Sequence, residues 1–260
     1  MKSNSEIDKR LNVAIRIAKE TGKMLIDNFG KPVEFTAKKD GSLVTPIDLK
    51  AEKLLVDSIK ENFPGDRILS EESEPKASDA AFKWIIDPLD GTHNYIRGVD
   101  VFGTSIALQY ENEMVIGVIY LPVTKELYHA QKGKGAYWNG KRINVSKRDL
   151  NQATMIYDSS IRQNKKPMLA GLSKTIDKVF NIRMFGSTAR SLSYIAEGKA
   201  DLEIEFNDKL WDFAAGLLLV EEAGGKVTDF QGKKWGLHTR AYIASNGKVH
   251  EEVLRVMGKI

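Results

Sequence analysis

Apolar residues recur at spacings of three and four positions over the first part of the chain. The apolar stripe consists of Ile7, Leu11, Ala14, Ile15, Ala18, Leu25 and Ile26. Such spacing places these side chains on one face of a helix and leaves the charged residues on the other face. Gly30 and Pro32, which follow Phe29, are poor helix residues. The pattern therefore predicts an amphipathic helix that ends at Phe29 and Gly30.

A second helix is predicted to begin near residue 46. Thr45 is suited to cap the helix, Pro46 suits its first position, and Asp48 brings a negative charge to the first turn. Asp48 has two interpretations at this stage. It is either a functional side chain or only a capping acid.

The middle of the chain changes from helical spacing to short apolar segments. These segments lie at 84–86, 104–109, 115–121 and 127–131. Because short polar connections separate them, they predict an antiparallel meander of strands.

From about residue 147 the chain alternates between helix-like and strand-like stretches. The pattern predicts a helix near 187–197, a strand at 201–206, a helix at 211–223 and strands at 227–230 and 242–245. The predicted fold class is therefore α/β (α+β). Residues 1–146 would form a helix pair and an antiparallel sheet, and residues 147–260 an α/β half. No flexible linker separates the two parts, so we expect one packed unit.

Composition excludes several classes of function. The chain has 260 residues, of which 42% are hydrophobic, and it has no cysteine. A chain of this length can bury a full core. Without cysteine it has neither disulfides nor thiolate metal sites, so a structural zinc finger and a cysteine nucleophile are excluded.

Charge and hydropathy predict no membrane binding and favour a solvated surface over a nucleic-acid interface. The formal charge is +4 and the isoelectric point is about 9.0. Lysines are interspersed with acidic residues, which is typical of a solvated surface. Residues 2–6 are polar, and no apolar run reaches the ~20 residues that a membrane span needs. The expected location is the cytoplasm.

The segment 87–92, with the sequence Asp-Pro-Leu-Asp-Gly-Thr, carries the strongest candidate chemistry. It combines two carboxylates, a turn and a hydroxyl group directly after the apolar segment 84–86. Oxygen ligands of this kind suit Mg²⁺. Gly91 has no Cβ, so the backbone can approach an anion closely. The same residue types also form ordinary turns, which leaves a purely structural interpretation open.

Further acidic residues at the ends of apolar segments favour the metal interpretation. Glu71 and Glu72 follow the segment 68–70, and Asp212 precedes the apolar run 213–217. Side chains at such positions gather at a common edge in layered folds. The predicted chemistry is metal-assisted phosphoryl transfer or hydrolysis.

These residues resemble the inositol monophosphatase family of Mg²⁺-dependent, lithium-sensitive sugar phosphatases. The resemblance covers nearly the whole chain through the segments LVTPID at 43–48, SEE at 70–72, DPLDGTHNY at 87–95, GSTA at 186–189, Glu205, and WDFAAG at 211–216. It implies a layered α-β-α-β-α sandwich with the metal site between the two halves. It also implies a phosphoric monoester hydrolase that uses two or three Mg²⁺ ions.

The resemblance assigns a role to each acidic residue. The implied ligands are Glu71, Asp87 and the Leu89 carbonyl for one ion, and Asp87, Asp90 and Asp212 for a second. Thr92 and Glu71 would orient the attacking water. Asp48 would lie behind Thr92 and raise the basicity of its hydroxyl group.

The resemblance also implies how the substrate is held. The backbone N–H groups of Gly91 and Thr92 would cradle the phosphate, and either Lys38 or Lys39 would reach it or the metal waters. The pocket for the alcohol part would be lined by Gly186, Ser187, Thr188 and Glu205. His93 borders the site, and a loop histidine that only packs is the preferred interpretation.

Arg190 departs from the neutral residue that the family often has near this position. One hypothesis is that its guanidinium pairs with a second phosphate or a carboxylate of a larger substrate. The preferred interpretation is a surface arginine that covers apolar neighbours with its stem.

Inositol 1-phosphate is the first candidate substrate. Fructose 1,6-bisphosphate, histidinol phosphate and 3′-phosphoadenosine 5′-phosphate are alternatives, because similar proteins hydrolyse them. A hypothesis from another class is a regulatory or RNA-associated binding protein that keeps the family fold. The resemblance implies a homodimer.

Overall fold

The fold is a stack of five alternating helix and sheet layers. A computed structural model of the protein describes residues 2–39, 41–72 and 80–258. The helices are α1 (Lys2–Asn28), α2 (Pro46–Asn62), α3 (Thr92–Ile96), α4 (Lys165–Thr175), α5 (Thr188–Ala196), α6 (Leu210–Glu222) and α7 (His250–Met257). In order, the layers are α1 with α2, a large sheet, α5 with α6, a smaller sheet, and α4 with α7. The predicted α-β-α-β-α sandwich is confirmed.

The large sheet has seven strands in the same order as in the sequence. They are β3 (Arg67–Ser70), β4 (Phe82–Asp90), β5 (Gly103–Tyr110), β6 (Glu113–Leu121), β7 (Glu126–Gln131), β8 (Gly135–Trp138) and β9 (Lys141–Ile143). The strands β4 to β9 are antiparallel neighbours, and β4 to β7 correspond to the predicted meander, whereas β3 runs parallel to β4. A separate ribbon pairs β1 (Thr36–Ala37) with β2 (Leu43–Val44).

The smaller sheet is mixed. Its strands are β10 (Thr154–Tyr157), β11 (Asn181–Arg183), β12 (Leu202–Glu205), β13 (Lys226–Thr228) and β14 (Tyr242–Ser245). Their spatial order is β11-β10-β12-β14-β13, with β10 parallel to β11 and β12, and β14 antiparallel to β12 and β13. The boundary at 146/147 falls between the two sheets, and its status as a domain boundary stays a prediction.

Both faces of the large sheet are buried, which explains the continuous apolar runs in its strands. Trp84 and Ile86 pack towards α1 and α2, while Ile85 between them packs towards α5 and α6. Helix α6 is apolar on all sides because it is covered by both sheets. This central helix carries Asp212 in its first turn.

The helix boundaries agree closely with the sequence pattern, and the N-cap of α2 is present as predicted. The Thr45 side chain accepts hydrogen bonds from the backbone N–H groups of Ile47 and Asp48, and Pro46 occupies the first helical position. Within the described ranges, no helix combines the length and the apolar character that crossing a membrane requires.

Candidate functional site

The acidic residues meet where strands of the large sheet end. Asp87 and Asp90 lie in the last part of β4, where the pairing with β5 changes register around Pro88. Glu71 directly follows β3, and its N–H donates to the Ile86 carbonyl at 3.3 Å. Because β3 and β4 are parallel, their ends lie side by side and bring Glu71 to Asp87.

Glu71, Asp87 and Asp212 form a compact group of carboxylates. One oxygen atom from each lies within 4.8 Å of the others. Burial, together with repulsion from Glu71, Asp90 and Asp212, raises the pKa of Asp87 well above its ordinary value. Burial likewise raises the pKa of Glu71 and of Asp212. Three oxygen donors that repel one another fit a hard divalent cation.

Lys38, rather than Lys39, faces this group. Its ammonium nitrogen lies 2.8 Å from Glu71 Oε1 and 2.6 Å from Glu72 Oε1. Burial opposes the charged form of Lys38, but the attraction of the two carboxylates outweighs it and raises the lysine pKa. Lys39 is exposed. Of the two lysines that the sequence leaves open, Lys38 is therefore the one that lies against the carboxylates.

Asp90 is tied to the beginning of α5. It accepts hydrogen bonds from the Ser187 hydroxyl group and from the Thr188 N–H, the latter at 3.0 Å. Burial raises the pKa of Asp90 to about 6, and these donors limit the rise. Asp90 thus links strand β4, which carries Asp87, to the segment that the resemblance assigns to the substrate.

Thr92 and Asp48 are in contact, as the resemblance implies. The Thr92 hydroxyl lies 2.8 Å from Asp48 Oδ1 and 3.0 Å from the Leu89 carbonyl oxygen. The other Asp48 oxygen accepts from the Thr45 N–H at 2.9 Å and from the Thr45 hydroxyl at 2.5 Å. Asp48 is both a capping acid and a hydrogen-bond partner of Thr92, and its functional role stays a prediction.

Gly91 is required by the backbone at this point. Its φ angle is +84°, and a Cβ would lie 2.8 Å from the Val101 carbonyl oxygen. Any other residue would be strained and would clash. The turn brings the first N–H groups of α3 to the edge of the site, where a helix has no internal acceptors for them.

A cavity of about 310 Å³ adjoins these carboxylates. Its lining includes six of the residues that the resemblance assigns to phosphate and alcohol binding, namely Gly91, Thr92, Gly186, Ser187, Thr188 and Glu205, but not Lys38. Asn94 holds the loop before α5 in place, because its amide donates to the Phe185 carbonyl at 2.8 Å. His93 also lines the cavity, and it lies in helix α3 rather than in a loop.

Arg190 does not line the cavity. Its guanidinium lies 2.8 Å from Glu126 Oε2 and 3.1 Å from the Thr124 hydroxyl, and it packs over the Tyr194 ring. Only 4% of the residue is exposed, so the surface interpretation is wrong. The ion pair with Glu126 also removes the geometric basis for a contact with a second phosphate.

The sequence interpretation missed three acidic residues of the cavity, namely Asp158, Glu203 and Asp208. Glu203 could have been predicted, because it lies two positions before Glu205 in β12 and side chains two positions apart in a strand share one face. Burial and repulsion from Asp208 raise the pKa of both glutamates well above the ordinary value. Burial and repulsion from Asp158 raise the pKa of Asp208 to about 8.

The fold and the site define a layered α/β protein with an acidic cavity suited to a divalent cation and an anionic ligand. The inositol monophosphatase family matches residues 6–260 of the chain. The chain therefore belongs to the inositol monophosphatase family.

Individual relatives have different names. The chain is 34% identical to a fructose-1,6-bisphosphatase/inositol-1-monophosphatase of Thermotoga maritima, with 96% of each chain covered. It is 36% identical to the Nus factor SuhB of Escherichia coli K12, with 95% of each covered. The crystal structure of the extragenic suppressor protein suhB from Bartonella henselae superposes with a TM-score of 0.93 at 34% identity, covering 96% of this chain and 99% of that one.

Proposed function

We propose that the protein is a Mg²⁺-dependent phosphomonoesterase for a small polyol or sugar phosphate, with inositol 1-phosphate as the first candidate. The observation that carries this proposal is the approach of Glu71, Asp87 and Asp212 oxygen atoms to within 4.8 Å of one another beside a cavity. Three carboxylates this close together, of which Asp87 is buried and the other two are partly buried, repel one another unless cations balance their charge.

The residues present fit Mg²⁺, since every donor is an oxygen atom. Glu71, Asp87 and the Leu89 carbonyl would hold one ion, and Asp87, Asp90 and Asp212 a second. We propose two or three ions for each site. Bound Mg²⁺ would offset the charge of the phosphate and lower the pKa of water.

Thr92 and Asp48 would position the attacking water. When the Thr92 hydroxyl donates its hydrogen to Asp48 at 2.8 Å, the lone pairs of its oxygen are free to accept a hydrogen from water. Glu71 would accept a second hydrogen bond from the same water. Together they would orient one oxygen lone pair towards phosphorus, and no covalent phosphoenzyme is required.

The phosphate and the alcohol would bind at opposite ends of the cavity. The N–H groups of Gly91 and Thr92 would donate to the phosphate oxygens, and Lys38 would add positive charge near them. Glu205, Gly186, Ser187 and Thr188 would contact the hydroxyl groups of the alcohol. Their place on the cavity wall supports this assignment.

Release of inorganic phosphate from a panel of substrates tests the proposal. The panel contains inositol 1-phosphate, fructose 1,6-bisphosphate, histidinol phosphate and 3′-phosphoadenosine 5′-phosphate, each with Mg²⁺ and with a chelator. We expect Mg²⁺-dependent release from one or more of them, and loss of that release in Asp90→Asn. If none of the four compounds releases phosphate, the result counts against the proposal.

A second candidate is a regulatory or RNA-associated binding protein, which is favoured by the relatives named Nus factor SuhB. This role and the phosphatase role are compatible in one chain. RNA binding in a gel-shift assay that persists in Asp90→Asn, while phosphate release is lost, would support two separate roles. The absence of RNA binding in both proteins would remove this candidate.

We also propose a cytoplasmic homodimer. Four exposed apolar residues lie in the sequence close to β11, which is an edge strand of the smaller sheet. They are Leu169, Ile176, Phe180 and Met184. Phe180 is 77% exposed, and an aromatic side chain this exposed is suited to contact a second protein chain. Sedimentation equilibrium should show twice the chain mass, and a monomer would contradict this assignment.

A further inference from the structure

One buried oxygen atom on the cavity wall has no partner in the described structure. Glu203 is 2% exposed, and its Oε2 atom accepts no hydrogen bond. The residue lines the cavity and lies two positions before Glu205 on the same face of β12. An unpaired carboxylate oxygen in a buried place costs about 1–3 kcal/mol or more, so a ligand that donates to it would be bound favourably.

Acidic side chains crowd this end of the cavity. Asp158, Glu203, Glu205 and Asp208 all line it. None of them belongs to the group that the proposed Mg²⁺ ions would neutralise. Among the described residues that line the cavity there is no lysine or arginine.

The neighbouring carboxylates have partners within the protein, in contrast to Glu203 Oε2. Asp208 accepts from the Thr188 hydroxyl at 3.0 Å and from the Tyr242 hydroxyl at 3.2 Å. Glu205 and Asp158 share a hydrogen bond. Glu203 Oε2 is therefore the acceptor that a ligand would have to satisfy.

We propose that the substrate carries a protonated amine on its alcohol part and that Glu203 is the residue that selects it. This inference rests on the proposed phosphatase function. A hydroxyl group would supply a hydrogen bond to Glu203, but it would not offset the repulsion among the four acidic groups when they are ionised. An ammonium group supplies both the hydrogen bond and the charge, and such bonds are roughly twice as strong as neutral ones.

Pairs of phosphate esters that differ in one group test this inference. Each pair consists of an ω-aminoalkyl phosphate and the ω-hydroxyalkyl phosphate of the same chain length, together with glucosamine 6-phosphate and glucose 6-phosphate. The ratio of kcat/KM within each pair is measured for wild type and for Glu203→Gln. Because both members are assayed with the same protein, a general loss of activity cancels in the ratio.

Glu61→Gln is the matched control, because Glu61 is an exposed residue of α2 and its substitution removes the same charge. We expect wild type and Glu61→Gln to prefer the amine by at least about tenfold in the best pair. In Glu203→Gln the ratio should fall to about one. Calorimetric binding of the same pairs with Mg²⁺ provides a readout that does not depend on turnover.

The outcomes separate this inference from the proposed function. Phosphate release without an amine preference, or with a preference that Glu203→Gln retains, would overturn the inference and leave the phosphatase proposal intact. No release from any ester would count against the phosphatase proposal. In that case calorimetry decides: tighter binding of the amine that is lost in Glu203→Gln supports the inference, and equal binding of the pair overturns it.

Discussion

At the scale of single residues, Thr92 connects the two halves of the proposed chemistry. Its hydroxyl lies between Asp48 and the Leu89 carbonyl, and its backbone lies at the beginning of α3 beside Gly91. The two contacts orient the hydroxyl oxygen within the site. The role of this oxygen can be separated from that of the backbone by substitution.

We expect Thr92→Ala to lower kcat by roughly 10²–10⁴-fold with little change in KM, because the variant loses the oxygen that orients water and keeps the phosphate contacts. Thr92→Ser keeps the hydroxyl and should retain most of the activity. Steady-state phosphate release and thermal unfolding of the three proteins provide the measurement. An alanine variant with nearly wild-type kcat would exclude the assigned role.

The site could be predicted from the sequence where its residues are contiguous. Segment 87–92 combines two carboxylates, a turn glycine and a hydroxyl group, so its residue types alone indicate a metal and an anion. The role of Arg190 could not be predicted, because it depends on Glu126 of a distant strand. Asp208 was missed for a different reason: it lies in the loop between β12 and α6, and a loop gives no periodic signal.

At the scale of secondary structure elements, α6 sets the distance between the halves of the site. The helix crosses the large sheet at Gly117 of β6, where a Cβ would lie 2.5 Å from the Ala215 carbonyl oxygen. A close approach of backbone to backbone is therefore built into this crossing. Since α6 carries Asp212, the same contact helps to place Asp212 near Asp87 and Glu71.

We expect Gly117→Ala to destabilise the protein by about 1–3 kcal/mol, because the backbone at Ala215 has to move to admit the methyl group. Activity should fall with it as Asp212 is displaced. Gly236→Ala is the control: an added Cβ there meets no atom within 4 Å, so stability should change by no more than about 0.5 kcal/mol. Urea unfolding of both variants gives the comparison, and equal midpoints would contradict the packing described for α6.

Elements with a strong local pattern were predicted well, and their pairing was predicted less well. The meander from 84 to 131 follows from apolar runs joined by short turns, and α2 follows from its N-cap. The parallel contact of β3 with β4 could not be predicted, because parallel neighbours are joined by long connections that leave no turn signal. The helices α3, α4 and α7 were not predicted either.

At the scale of the whole molecule, the acidic site makes stability depend on pH and on cations. Burial raises the pKa of Asp90 to about 6, of Glu72 to about 7 and of Asp208 to about 8. In the unfolded chain these groups titrate near pH 4. The folded protein therefore retains protons that the unfolded chain has released, and the free energy of unfolding falls as pH rises from about 4 to about 8.

Without divalent cations, we expect the Tm to be lower at about pH 8 than at about pH 5. Mg²⁺ binds the deprotonated carboxylates, so saturating MgCl₂ should raise Tm more at the higher pH, by at least about 2 °C more. Calorimetric scans at both pH values, with MgCl₂ and with a chelator, provide the measurement. An equal Mg²⁺ effect at both pH values would show that the buried carboxylates are not its binding site.

The most direct test of the central claim is the rate of phosphate release from inositol 1-phosphate as a function of free Mg²⁺, for wild type and Asp87→Asn. Asparagine keeps the shape of Asp87 and removes the charge that would be shared between the ions. The wild-type rate should rise from background to saturation with Mg²⁺, and the rate of the variant should be lower by at least about 10²-fold. A rate independent of Mg²⁺, or equal rates in the two proteins, would contradict a metal-dependent phosphatase.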